Sequence, residues 1–466
     1  TEAYYPFLTV ILEPAYEMGM NAAQLLFSRL DAEEDLQPRQ VVLPTRLTIR
    51  YSCGSRLKED GDSGPCLSIP EDIQSQTVLV KPLSAEEQSK FAACIKGVVG
   101  PTVTRSTRLS DDDRPNVNRL LKVLQHRQAD RLPHLEFQIT SQSIFEYVLG
   151  RALGYGNNAD ASVSDQAISP KDHVEFARRI GMDAVTCNFS WRPNNVFQKS
   201  PDGTEKYIGG SVKTWTDLDH LDSPPSRADQ LSTLERYLQA AQGTGVGVVA
   251  SFTSFFDSAM LAVGMSDALD LFHSDRRFLE TLMDILLEHQ EKVVRAVCDR
   301  FAEDLAFISI SDHVANDAGL IIDPDMFGEI FPDRMQRLVS PAKEHGKPVV
   351  MNAGGRIEDV LPTLFDIGFD AVHLVEPEVD RILELKQQWA GKVALTGGFP
   401  TRLLIRGSRD EIEERVREYC LKLAPGGSYV FGCSTPITES VPPENFVTMA
   451  KAVHKYGRYR SSGDEA

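Results

Sequence analysis

From residue 113 to its C-terminal end the chain alternates two kinds of apolar pattern. One kind is a short continuous run: Ala184-Val-Thr-Cys-Asn-Phe, Val246-Gly-Val-Val-Ala-Ser-Phe, Leu305-Ala-Phe-Ile-Ser-Ile, Pro348-Val-Val-Met-Asn, Ala371-Val-His-Leu-Val, Val393-Ala-Leu-Thr and Tyr429-Val-Phe-Gly. The other recurs at helical spacing, as in Ser266 to Phe272 and Arg277 to Ala302. Short apolar strands separated by helices predict a parallel sheet buried on both faces. About eight such repeats predict an α/β fold of the (β/α)8 TIM barrel type, with functional residues directly after the strands.

The first quarter of the chain has a different texture, and the pattern predicts a small α/β appendage. Met18 to Leu30 has helical periodicity, and Val41 to Tyr51 is strand-like and β-branched. Ser55 to Asp112 opens polar and Gly-rich, then offers one strand-like run from Thr77 and one helix-like run from Ser84 to Lys96. Ser84 and Glu87 have the spacing of a capping box. The chain therefore divides into 1–54, a 55–112 linker with a short βα unit, and the repeating region 113–466.

Charge and cysteine usage narrow the function. The 466 residues carry a formal net charge of −18, which argues against a nucleic-acid partner, since phosphate binding needs a basic face. No apolar run approaches the roughly 20 residues that span a bilayer, and no basic-then-apolar signal opens the chain. Seven cysteines without CxxC pairs read as reduced thiols. The expectation is a cytoplasmic protein with a small-molecule partner, no membrane and no nucleic acid.

The barrel rule selects the candidate chemistry. Strand ends carry Asn188-Phe-Ser-Trp191, Ser254-Phe-Phe-Asp257, Asp312-His313, Asn352, His373 with Glu376, and Cys433. Tyr207 to Trp215 reads as a turn-rich insertion forming one wall. Asp312 and His313 are the expected catalytic pair, because a carboxylate and an imidazole at a strand end can exchange a proton near neutral pH. Asn188, Trp191, Asn352, His373, Glu376 and Cys433 are the expected substrate-binding set. Each has a plainer alternative: Asp312 capping the next helix, His313 facing solvent, His373 a satisfied core residue, Trp191 a cover, Cys433 a small buried thiol. Asp312 is expected to be partly hydrated.

Ordered segments from about Arg114 to Tyr459 resemble the uroporphyrinogen decarboxylase superfamily. They are Leu320-Ile-Ile-Asp-Pro-Asp-Met-Phe327 with Phe331-Pro332, Gly346-Lys-Pro-Val-Val-Met-Asn-Ala-Gly354, Gly427-Ser-Tyr-Val-Phe-Gly-Cys433, Val441-Pro-Pro-Glu-Asn445 and His454-Lys-Tyr-Gly-Arg-Tyr459. The resemblance implies a divergent methyltransferase or decarboxylase acting on a small methylated compound, a corrinoid or a tetrapyrrole-related substrate. It implies a monomer or homodimer, and a corrinoid as candidate cofactor. The departures are specific. Glu136-Phe-Gln-Ile-Thr-Ser stands where the decarboxylases have an arginine-rich carboxylate grip. Ser190 stands near their catalytic Asp, and Cys433 at a late His. The His-x-Cys of the zinc methyltransferases falls on Met351 and Ala353, so the inherited zinc site is broken and no metal is expected. A non-catalytic small-molecule sensor on the same barrel is the alternative reading. Thr9-Val-Ile-Leu-Glu-Pro-Ala-Tyr-Glu-Met-Gly19, with Val42-Leu-Pro-Thr-Arg-Leu and Ser52-Cys-Gly54, resembles the C-terminal end of a LacI-type effector domain.

Overall fold

The computed structural model describes residues 113–153, 168–199, 205–316, 318–375 and 378–459, together with two short strands, Val10–Leu12 and Arg46–Thr48, paired antiparallel. By its internal contacts the chain separates into two compact units, Thr1–Gly100 and Pro101–Ala466. The expected 18–30 helix and the 55–112 elements lie outside the described residues.

In the second unit every short apolar run of the sequence becomes a strand of one parallel sheet. The strands are β1 (Ala184–Phe189), β2 (Gly247–Thr253), β3 (Phe307–Ser311), β4 (Val349–Asn352), β5 (Ala371–Leu374), β6 (Ala394–Gly397) and β7 (Tyr429–Val430). They stand in sequential order across a seven-stranded sheet. An irregular segment, 133–139, joins the two edges. Phe431 donates its N–H to the Pro133 carbonyl and accepts from Leu135, both at 2.9 Å, while His134 accepts from Asp183 at 2.9 Å. The curled sheet is therefore TIM-barrel-like, with seven regular strands and an irregular stave in the eighth position.

Buried charge ties this seam together. The Asp183 carboxylate, fully buried ahead of β1, accepts from the backbone of Asn116 (2.9 Å) and His134 (3.0 Å) and from the guanidinium groups of Arg119 (3.0 Å) and Arg131 (3.1 Å). Asn116 caps the helix α1 (Val117–Leu124), whose Leu120, Val123 and Leu124 plug the start of the barrel.

Strand partners in a parallel ladder share a face, so register sorts the interior. Ala184, Val249, Phe307, Val350, Ala371, Ala394 and Val430 form an inner apolar layer with Leu135 and Phe137. One or two steps nearer the strand ends the same face turns polar: Asn188 lies beside Ser251, and Ser251 beside Ser309. Thr253, Ser311, Asn352, His373 and Thr396 continue that face in register. The opposite face, including Cys187, Phe252, Ile310 and Met351, packs against the helices.

Of the helices α2 (Phe255–Val263), α3 (Arg276–Phe301) and α4 (Pro324–Glu344), α3 packs on β2 and α4 on β4, and both α2 and α4 pack against α3. Asp275 starts α3 by accepting from the Phe278 N–H. Buried Gln290 on α3 donates to the Thr253 carbonyl at 2.6 Å, fixing the top of β2. One expectation needs correcting. Residues 205–210 are not turn-rich but form a strand, antiparallel to Asn195–Lys199, with Phe197 opposite Tyr207. Gly210 disguised it: the glycine lies so close to the Ala262 carbonyl that a side chain would collide. No helix among the described residues is long and apolar enough to cross a membrane.

Candidate active site at the strand ends

Asp312 and His313 follow β3 and part company. Asp312 points into the protein and is fully buried, which corrects the expected hydration. Its carboxylate accepts from the Asp257 N–H at 2.7 Å and the Phe256 N–H at 3.4 Å, the first turn of α2. Ser254, the residue at the cap position of α2, makes no capping bond with its own side chain. Asp312 supplies that bond from the neighbouring strand, so it caps the preceding α2 and not the next helix. Burial, reinforced by the nearby Asp257 charge, pushes its carboxyl up to about 7.

His313 turns outward, half-exposed, and its partner is Asp257 in the first turn of α2, with Nδ1 3.4 Å from a carboxylate oxygen. The hydrogen bond to Asp257 raises the imidazole above its ordinary value, aided by the Asp257 and Asp312 charges against the cost of burial. Burial alone would lift Asp257, but the hydrogen bond and charge of His313, with Arg192, hold it below the ordinary carboxylate value. The pair is thus biased toward carboxylate and imidazolium, and the Nε2 edge remains for a ligand. Gly354 makes room for the ring: a Cβ there would lie 2.5 Å from Cδ2 of His313.

The other candidates separate by register and packing. Asn188, Asn352 and His373 stand on the polar inner face. His373 is buried, bonded through Nδ1 to the Thr396 hydroxyl at 3.1 Å and set edge-on to Phe137. Burial lowers it to about 4, so it is neutral near pH 7 and acts as a hydrogen-bonding group. Trp191 is buried, donates its indole N–H to the Asp222 carbonyl at 3.0 Å and packs against His289, so it anchors the mouth loop. Cys433 is packed 3.5 Å from the Met449 sulfur. Burial and the Glu136 charge drive its thiol well above the ordinary range. Glu376 lies outside the described residues.

Two residues escaped the sequence reading. Asp257 was visible after β2 but had no neighbour in sequence to mark it. Arg192 follows the anchored Trp191, is exposed, and has no ion pair or hydrogen bond among the described residues. Its charge reaches both Asp257 and His313.

The residues at the positions of the zinc methyltransferase motif do not fit the metal. Met351 is fully buried on the helix-facing side and Ala353 has no donor, which leaves Cys433 as the one thiol of the motif. Among the described residues no group of three His, Cys, Asp or Glu side chains is arranged to hold a metal ion.

A curled parallel α/β sheet with a polar mouth places the protein in the broad class of TIM-barrel-like folds. The uroporphyrinogen decarboxylase (URO-D) family model matches residues 198–456, more than half of the chain, and the chain belongs to that family. Among solved structures it is similar to a methyltransferase from Methanosarcina mazei, at 19% identity and a TM-score of 0.55, over 73% of this chain and 99% of that one. It is similar also to a glycoside hydrolase family 5 enzyme from Prevotella bryantii B14, at 10% identity and a TM-score of 0.40, over 68% and 99% of the two chains. At 19% identity the likeness to the Methanosarcina mazei methyltransferase describes the fold alone. No curated protein matches. Neither the family match nor the structural likeness shows a repressor-type resemblance for residues 1–54.

Proposed function

We propose that this family member is an enzyme that decarboxylates a small carboxylic acid, with His313 as the proton donor. One observation carries the reading: His313 after β3 and Asp257 in the first turn of α2 stand 3.4 Å apart beside a polar inner face, and each favours the charged form of the other. Loss of CO2 breaks a C–C bond and leaves its electron pair on carbon. The imidazolium Nε2–H then supplies the proton that forms the C–H bond, and the half-exposed ring recovers its proton from water. Asp257 holds the ring by Nδ1 and stabilises its charged form. Asn188 and Asn352 offer hydrogen bonds to the substrate, and Arg192 offers a cation to its carboxylate.

The test is CO2 release by the full chain from a panel of small carboxylic acids that includes uroporphyrinogen and coproporphyrinogen. Methylated donors with cobalamin serve as the comparison. Release that falls about 100-fold or more in His313→Gln, the usual scale of a lost general acid, supports the reading. Methyl transfer that survives His313→Gln, or binding without any turnover, overturns it.

A further inference from the structure

The eighth stave meets its two neighbours unequally. Residues 136–140 bond on one side to the far end of the chain, with Thr140 donating to the Ile437 carbonyl at 2.8 Å and Gln138 accepting from Ile437 at 3.0 Å. Among the described residues no backbone hydrogen bond joins 136–140 to β1 on the other side. Between them lies a cavity of about 40 Å³, walled by residues 136–140, by β1 and by the helices Pro170–Ile180 and Arg227–Ala241. Asn188 and Phe137 belong both to this wall and to the inner face of the barrel, so the cavity adjoins the polar mouth.

The wall is acidic and aromatic. Glu136 supplies its one carboxylate, and no lysine or arginine lines it. That carboxylate is buried, and its partners are His134 Nε2 and the Cys433 N–H, each at 2.9 Å. His173 accepts through Nδ1 from the Tyr237 hydroxyl at 2.5 Å, and burial lowers its imidazole to about 4, so it is neutral near pH 7. The Thr186 hydroxyl, on the inner face of β1, is buried without a hydrogen-bond partner. Phe137, Phe145, Phe176 and Tyr237 make up the aromatic part of the wall. A buried carboxylate with no lysine or arginine against it and a hydroxyl without a partner are both costly. An ammonium group satisfies both, and aromatic ring faces attract it.

We infer that the substrate carries a primary ammonium group and that this cavity holds it. The volume sets the size: a water needs about 10–15 Å³ of such space, so 40 Å³ admits a terminal ammonium on a short stem and not a whole ligand. One N–H donates to Glu136 and another to the Thr186 hydroxyl, while Asn188 offers its side-chain carbonyl where the cavity meets the inner face. The rest of the substrate extends along that polar face toward His313. The inference rests on the proposed decarboxylation for the reacting end of the molecule and adds the group at its other end, which makes the substrate an amino-substituted carboxylic acid.

Calorimetric titration of the full chain with γ-aminobutyrate, against butyrate at matched ionic strength, reads what the amine adds to the affinity. The amino acid is expected to bind about 10-fold or more tightly, the usual scale of a hydrogen bond to a charged group. Glu136→Gln should remove most of that preference and leave butyrate binding as it was. Thr186→Val removes a hydroxyl that bonds nothing else, so it should weaken γ-aminobutyrate about 3-fold or more with an unchanged unfolding midpoint. It carries the test if Glu136→Gln does not fold. Equal affinity for the two acids, or a preference untouched by Thr186→Val, overturns the site. Titration reads binding without turnover, so the two readings fail separately. A preference for the amine without CO2 release from any acid removes the role of His313 and leaves the cavity, and CO2 release with no such preference does the reverse.

Discussion

His313 Nδ1 lies 3.4 Å from the Asp257 carboxylate, and the backbone N–H of that same Asp257 is held at 2.7 Å by Asp312. Residues adjacent in sequence thus grip one residue in the first turn of α2 from two sides. Asp312 fixes its backbone and His313 meets its side chain.

The pairing sets the His313 titration. Asp257→Asn removes the hydrogen bond and charge that raise the imidazole, so the His313 pKa falls. A histidine NMR titration of wild type and variant reads the shift. An unchanged value would show that Asp257 does not govern the ring.

Asp312 is predicted to matter for stability as well as for the site. Asp312→Ala leaves two N–H groups of α2 without their acceptor and costs about 2–4 kcal/mol in chemical denaturation. Asp312→Asn retains one acceptor oxygen and costs less. Equal losses for the two would mean that the carboxylate charge, and not the capping bond, holds α2.

The same carboxyl gives stability a pH dependence. Its folded pKa of about 7 stands above the ordinary carboxyl value near 4, so across that window the folded state binds more protons than the unfolded state. This contribution is present in full at the acid end and is lost as pH rises toward about 7. Asp312→Asn should flatten the slope. Denaturation midpoints that fall equally steeply in the variant would assign the slope to other groups.

Gly354→Ala tests the seat of the imidazole. The added methyl carbon meets Cδ2 of His313, so the ring must move away from Asp257. The expected result is a lowered His313 pKa and a loss of turnover of about 10-fold or more, with a stability change below about 2 kcal/mol because the ring is half-exposed. A variant with a normal titration would show that the ring has other room.

Asp183→Asn tests the barrel seam. Two backbone N–H groups, of Asn116 and His134, and two guanidinium groups, of Arg119 and Arg131, converge on this carboxylate. Removing its charge leaves the buried Arg131 guanidinium without a carboxylate, at a cost of about 3–5 kcal/mol. A loss under about 1 kcal/mol, read by denaturation, would show that solvent replaces the acid.

The sequence by itself determined the alternation of strands and helices, because strand and helix impose different apolar periods and each leaves its mark locally. All seven short runs became β1 to β7, and strand-end positions such as Asn188, Asn352 and His373 followed from the barrel rule. Tertiary structure decided the rest. The eighth stave has no apolar period because its bonds go to Phe431 and Asp183, far away in the chain. Asp312 and His313 looked like a pair because they are neighbours in sequence, yet adjacent residues of an extended chain point to opposite sides. Asp312 turned inward to the start of α2 and His313 outward to Asp257, a residue 56 positions earlier. Burial, which sets the charge states of Asp312, His373 and Cys433, is a property of the packed barrel and is written in no local pattern.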